Sequence, residues 1–121
     1  MSSVIERLTI GTTEKLLNSI SSGYKEIGNR TYVFVVDGVN VVLVNNGSSL
    51  QLRATFGGNH SLSKANEWNE TKRFTRCYVE SEGSIVLEAD YSFEGGVTPE
   101  NVGNFFLLFT ASLRAFCSDV V

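Results

Sequence analysis

The stretch Asn66-Glu67-Trp68-Asn69-Glu70-Thr71-Lys72-Arg73-Phe74 separates a helical pattern from a hairpin pattern, and its reading decides how the chain divides. Just upstream, Ser61 can accept from the free amides of a first turn, which predicts a helix from Ser61 through about Thr71. Leu62, Ala65, Asn66 and Asn69 fall on one stripe of that helix, with Trp68 at its flank. Two asparagines therefore point toward protein. An unpaired buried amide costs on the order of 1 to 3 kcal/mol, so Asn66 and Asn69 are expected to bond neighbouring backbone where the helix meets a sheet.

Downstream, Glu82-Gly83 reads as the turn of a hairpin between residues 73–81 and 84–93. That register pairs Tyr78 with Leu87, Arg76 with Ala89 and Phe74 with Tyr91 on a mostly apolar face, where the stem of Arg76 would lie across its neighbours. Thr75, Cys77 and Val79 then share the reverse face with Asp90, Glu88 and Val86, and Arg73 lies diagonal to Asp90, a suitable ion pair. Glu94-Gly95-Gly96 leads into a last helix with a strong start: Thr98 as N-cap, the only proline at the first helical position and Glu100 in the first turn. Val102, Phe105, Phe106, Phe109, Leu113 and Phe116 lie within about 100° of its surface and form a core stripe. Leu107 projects from nearly the opposite side, Leu108 flanks the stripe, and Cys117 reads as a small buried hydrophobe.

Upstream of the opening stretch, Asp37-Gly38 is a two-residue hairpin signal, since both central positions need positive φ. It pairs Val36 with Val39 and Phe34 with Val41. Asn46-Gly47 reads as a second such turn, pairing Leu43 with Leu50, Val41 with Leu52 and Val39 with Ala54. Tyr32, Phe34, Val36, Val39, Val41, Leu43, Leu50, Leu52, Ala54 and Phe56 then share one face by period-two alternation, the core face. The opposite face mixes Val33, Val35, Val42 and Val44 with Asn40, Gln51, Arg53 and Thr55. A sheet with one wet face presents polar residues at most such positions, so four valines there either imply cover from a neighbouring element or a second subunit or reflect only the fit of β-branched residues to strands. Nearest the N-terminus, a lead-in with Val4, Ile5 and Leu8 precedes a helix capped by Thr12 or Thr13, with Glu14 at its positive end, a face of Leu16, Leu17 and Ile20, and a stop at Ser21-Ser22-Gly23.

The order is thus helix, three strands, helix, two strands, helix: an α+β domain over residues 1–121 with an antiparallel sheet of about five strands. The Asn-x-Trp-Asn run at 66–69, the basic and aromatic pair Arg73-Phe74, the following hairpin and Gly95-Gly96 before the last helix resemble the YbjN family, described as bacterial sensory transduction regulators. The resemblance spans about Thr12 to Phe116. It implies a fold like that of type III secretion chaperones, and with it an adaptor or chaperone-like dimer that presents a groove or sheet face to another protein.

Composition narrows the function classes. With 121 residues, 42% of them hydrophobic, the chain has enough apolar material for one real core. A net charge of -3 with scattered Lys and Arg gives no basic field for nucleic acid. Cys77 and Cys117 match no metal or disulfide spacing, which suits a reduced cytoplasmic protein, and the N-terminal residues have no apolar run that would mark a signal peptide or membrane span. Gly57-Gly58 lacks the Lys-Ser or Lys-Thr of a phosphate loop. His60 is the only histidine and reads as an exposed loop residue. Glu80, Glu82, Glu88, Asp90 and Glu94 read as solvated strand positions rather than paired catalytic acids. The expectation is a non-enzymatic binding or regulatory homodimer with no cofactor or metal, the alternatives being a small-ligand-binding protein or an unrecognised enzyme. Asn66, Trp68, Asn69, Arg73, Phe74 and Asp90 form the candidate motif; Val33, Val35, Val42, Val44 and Leu107 form the candidate dimer surface.

Overall fold

The computed structural model describes residues 6, 7, 9–20 and 23–121. The lead-in through Val4, Ile5 and Leu8, and the stop at Ser21-Ser22, lie outside the described residues. In chain order the elements are α1 (Ile10–Ile20), β1 (Tyr24–Gly28), β2 (Thr31–Val36), β3 (Val39–Asn45), β4 (Ser49–Phe56), α2 (Leu62–Thr71), β5 (Arg76–Val79), β6 (Ile85–Ser92) and α3 (Pro99–Asp119). The α+β class stands, but the sheet has six strands, antiparallel in the order β1-β2-β3-β4-β6-β5. The additional strand is β1, whose Tyr-Lys-Glu-Ile-Gly sequence has little apolar alternation because it is an exposed edge.

Turn chemistry decides the registers. Asp37 and Gly38 adopt φ of 50° and 80°, and Val36 pairs with Val39 and Phe34 with Val41, as the sequence implies. The second turn differs. Asn46 N–H donates to the Ser49 carbonyl at 2.9 Å, so Gly47-Ser48, not Asn46-Gly47, are its central residues, with the glycine first at φ 87°. Leu43 therefore faces Leu52, and Asn45 faces Leu50. This slip of two keeps every side chain on its expected face.

The third turn slips by one, which exchanges the faces. Glu80 N–H bonds the Ser84 carbonyl at 2.7 Å and Gly83 N–H bonds Glu80 at 2.9 Å, so the loop has three residues, ending in Gly83 at φ 102°. A Cβ on Gly83 would lie 2.6 Å from the Gly58 carbonyl oxygen, so only glycine lets this loop pack against the β4–α2 connection. Arg76 faces Glu88, Cys77 faces Leu87 and Tyr78 faces Val86. Cys77 thus belongs to the core, while Arg76 and Tyr78 lie on the opposite face, the reverse of the sequence reading.

All three helices cover the face defined by Tyr32, Phe34, Val41, Leu43, Leu50, Leu52, Ala54, Leu87 and Ala89. Helix α3 supplies Val102, Phe105, Phe106, Phe109, Leu113 and Phe116, all buried as its stripe predicts. Its Thr98 cap is also as expected, completed by a reciprocal bond that the Thr98 N–H donates to Asn101 Oδ1. Rings join helix to sheet at Phe34–Phe106, Phe56–Phe116 and the stacked pair Tyr91–Phe105, with centroids 6.3, 5.8 and 5.0 Å apart. Helix α1 starts earlier than the sequence suggests, because Thr9 rather than Thr12 or Thr13 accepts the first amide, from Thr12 at 3.1 Å. Thr13 is freed to turn inward, where its hydroxyl accepts from the Asn45 amide at 3.2 Å, and Leu17 packs into the core.

Candidate functional site

Helix α2 is short and mostly polar, and buries only Ala65 and Trp68. The expected stripe is rotated: Leu62 is 72% exposed, and Trp68 takes the interior place. A large ring outcompetes the terminal leucine because it reaches Phe116, edge to face at 5.0 Å. Its indole N–H needs a partner once buried and donates to Thr75 Oγ1 at 3.2 Å; Thr75 in turn shares a 2.6 Å hydrogen bond with Ser112 of α3. One tryptophan thereby joins α2, the approach to β5, and α3.

The two asparagines have separate fates. Asn66 is exposed and bonds the Glu70 side chain one turn away at 2.9 Å, not backbone as expected. Asn69 does what the sequence reading asks of it. Its amide donates to the Cys77 carbonyl and its carbonyl accepts the Cys77 N–H, both at 2.9 Å. These are the groups of β5 that point away from β6. The carboxamide of Asn69 therefore stands where the peptide group of a further strand would stand and closes that edge of the sheet. Phe74 lies over Phe105 at 5.5 Å, partly exposed. Arg73 is exposed in the bend before β5 and does not pair with Asp90; that carboxylate is held by Arg76, because the three-residue turn brings Arg76 to the side of the sheet where Asp90 lies.

The sheet face away from the helices carries two zones. Across β2 and β3 lie Val33, Val35, Val42 and Val44, with Val35 53% exposed and the others half-buried. Across β4, β6 and β5 lies a polar network that the sequence reading missed. Glu88, 6% exposed, sits between two arginines: Arg76 Nε donates to Oε1 at 3.0 Å, and Arg53 Nε lies 3.4 Å from Oε2. Arg76 also holds Asp90, which accepts from Gln51 at 3.1 Å, and Arg53 reaches the Tyr78 hydroxyl. The hydrogen bond to Asp90 first, and then the charges of Asp90 and Glu88, push the Arg76 pKa up. Two cations and two anions cancel, so this zone is polar without net charge. The register slip and the unread adjacency of β4 and β6 together hid it, since Glu88 opposes Arg76 once the turn has three residues and opposes Arg53 across β4.

Leu107 is 66% exposed on α3 and meets the valine zone only at Val35, where both line a hollow at the end of β2. His60 is half-buried rather than fully exposed, tied down by a 2.9 Å contact between Nε2 and the Gly57 carbonyl. Among the described residues no three His, Cys, Asp or Glu side chains are grouped to hold a metal ion, and no helix is long and apolar enough to cross a membrane.

The family model for YbjN, described as "Putative bacterial sensory transduction regulator", matches residues 25–120. Among solved structures the chain is similar to that of YbjN from E. coli, described as "a putative transcription regulator", with a TM-score of 0.68 and 13% identity over 98% of each chain. At that identity the likeness is one of fold. No curated protein matches the sequence.

Proposed function

The chain belongs to the YbjN family, and from that premise we propose that it is a non-enzymatic regulatory module that binds protein through the open face of its sheet and pairs with itself there. One observation carries the reading: the face opposite the helices holds Val33, Val35, Val42 and Val44 beside a charge network that is already neutralised. Burying a valine or leucine contributes roughly 1.5 to 3 kcal/mol. Pairing part of this zone across a two-fold axis therefore offsets much of the several kcal/mol that association costs. Arg53, Arg76, Glu88 and Asp90 are paired with one another, so none enters the interface as a lone charge, although their desolvation takes back part of that gain. Leu107 extends the apolar surface past Val35. A protein target that takes this face in place of the second copy makes the module an adaptor, in keeping with the chaperone-like fold that the family resembles.

The alternative of an unrecognised enzyme draws no support from His60, whose ring is engaged by a backbone carbonyl, or from Glu88 and Asp90, which are engaged by arginines. The net charge of -3 and the balanced network give nucleic acid no attractive field. Two free thiols suit a reducing cytoplasmic setting.

Light scattering on the purified protein, alone and as the double variant Val35→Lys, Val42→Lys, tests the assembly. The expected result is a dimer that the lysines convert to a folded monomer. A wild type that stays monomeric at high micromolar concentration, or a dimer indifferent to both lysines, would sink this assignment and favour cover of the valines by the segment from Val4 to Leu8.

A further inference from the structure

Where the β2–β3 turn meets α3, two hollows lie on either side of one ion pair. The larger, of about 450 Å³, is floored by Ile20, Val36 and Phe106 and rimmed by Val35 and Leu107. The smaller, of about 230 Å³, is lined by Val36, Val39, Leu113 and the thiol-bearing Cys117. Val36, Asp37 and Arg114 border both, so the two form a trough spanned by the Asp37–Arg114 pair, mixed in character on the larger side, where Ser19 and Thr110 also line it, and mainly apolar on the smaller. Its volume falls within the range of sites for small organic ligands.

The ion pair has no evident structural necessity. Both side chains are more than half exposed, at 55% and 62%, and a surface pair of this kind contributes little to stability. Asp37 is already placed by its turn, where it adopts φ 50° beside Gly38, and its carboxylate only happens to reach across the trough. The hydrogen bond from Arg114 holds the Asp37 carboxyl below the ordinary carboxylate range. Among the described residues Arg114 is the one cation that lines either hollow, and Asp37 shows where a carboxylate sits upon it.

We propose that this trough binds a small amphipathic monocarboxylate, an aliphatic acid whose tail lies along Val36, Val39 and Leu113 and whose carboxylate takes the place of Asp37 on Arg114. The arrangement supplies both elements that such a molecule needs: apolar walls that remove the tail from water, and a guanidinium whose planar fork matches a carboxylate. Exchange of one carboxylate for another leaves Asp37 unpaired beside the bound anion, a repulsion that exposure to water and salt screens. Opening of the pair frees Asp37 to water and makes the two hollows continuous. The residues along the tail, Val36, Val39 and Leu113, lie outside the surface proposed for self-association, which shares only Val35 and Leu107 at the rim of the larger hollow, and the readout differs from that of the dimer.

Cys117 reports occupancy, since its thiol lines the smaller hollow while Cys77 is buried in the core. The rate at which a colourless aromatic disulfide labels Cys117 is measured on the full chain with decanoate below its micelle-forming concentration, and with decanol as the uncharged comparison. Decanoate is expected to slow labelling saturably and decanol much less. Arg114→Gln is expected to abolish the protection, and Asp37→Asn to tighten binding about three- to fivefold by removing the internal competitor of a surface ion pair. Both substitutions are at exposed positions, and circular dichroism melts establish that the variants are folded. Equal protection by decanol, protection indifferent to Arg114→Gln, or weaker binding by Asp37→Asn would each overturn the proposal. So would absence of protection, accelerated labelling, which signals detergent-like unfolding, or protection that follows protein concentration rather than decanoate, which would assign the trough to a second copy.

Discussion

Removal of the Asn69 side chain tests whether the Asn-x-Trp-Asn run is a structural clamp. In Asn69→Ala the Cys77 N–H and C=O each lose a 2.9 Å partner, and both lie against α2 where water reaches them only in part. A hydrogen bond contributes a net 0.5 to 1.5 kcal/mol, with more at stake where the groups left behind are incompletely hydrated. The pair is therefore expected to cost about 2 kcal/mol. An unfolding entropy near 2.1 cal/mol/K per residue gives about 0.25 kcal/mol/K for a chain of this length, so Tm should fall by about 8 °C. Urea titration gives the free energy, and hydrogen exchange gives its location: the Cys77 amide should lose protection ahead of the rest of the sheet. Asn69→Asp makes a sharper comparison, because it keeps an acceptor for the N–H but sets a carboxylate against the Cys77 carbonyl. It should be no better than alanine at neutral pH. A change below about 0.5 kcal/mol in Asn69→Ala, the range of ordinary surface substitutions, with Cys77 still protected, would refute the clamp.

Trp68→Ala is expected to cost about 3 to 5 kcal/mol in chemical denaturation, as truncations of large buried aromatics do; wild-type stability with loss of a bound protein would instead make the ring a contact surface. The Cys77 thiol is pushed up to about 11 by burial, from an ordinary value near 9. The folded state then holds its proton after the unfolded chain has released it, so this contribution to stability is intact below pH 9 and declines as pH rises from 9 toward 11. Thermal melts across that window should show the decline, and Cys77→Ala should flatten it whatever its effect at neutral pH.

What the sequence made legible follows from parity. Side chains alternate with period two, so the two-residue error at Asn46-Gly47 left Leu43, Leu50 and Leu52 on the core face, whereas the one-residue error at Glu82-Gly83 moved Arg76, Cys77 and Tyr78 to the wrong side. Asp37-Gly38 was read correctly, but Asn46-Gly47 carries the same turn signal, so the dipeptide alone does not fix which two residues are central, and a glycine preceded by Glu fits more than one loop length. Helix α3 was legible from end to end because its cap and stripe agree, while α2 was not, since ten mostly polar residues let one tryptophan decide the rotation. Of the candidate motif, Asn69 meets the backbone partner expected of it although it is exposed, whereas Trp68, placed by the sequence at the flank of the stripe, lies inside. Asn66 was misplaced by the rotation of α2, which turns it out to Glu70, and the Arg73–Asp90 pair by the register step that gives Asp90 to Arg76.

The adjacency of β4 and β6 has a kinetic consequence. Their ladder runs from Ser49↔Ser92 to Phe56↔Ile85, the seam of the sheet, yet residues 57–84 separate even the nearest partners. Closing that connection costs roughly 2 kcal/mol more in chain entropy than closing a two-residue hairpin, on the (3/2)RT ln n scaling. The β2–β3 and β3–β4 hairpins should therefore form first and the seam last, which pulsed hydrogen exchange during refolding would show as late protection of Leu52 and Leu87. Until then β4 and β6 each present an unpaired apolar edge, and Asn69 guards neither. The interval before the seam closes is the time in which a nascent chain is open to mispairing with another, and its length is set by the loop, helix and hairpin that intervene between the two central strands.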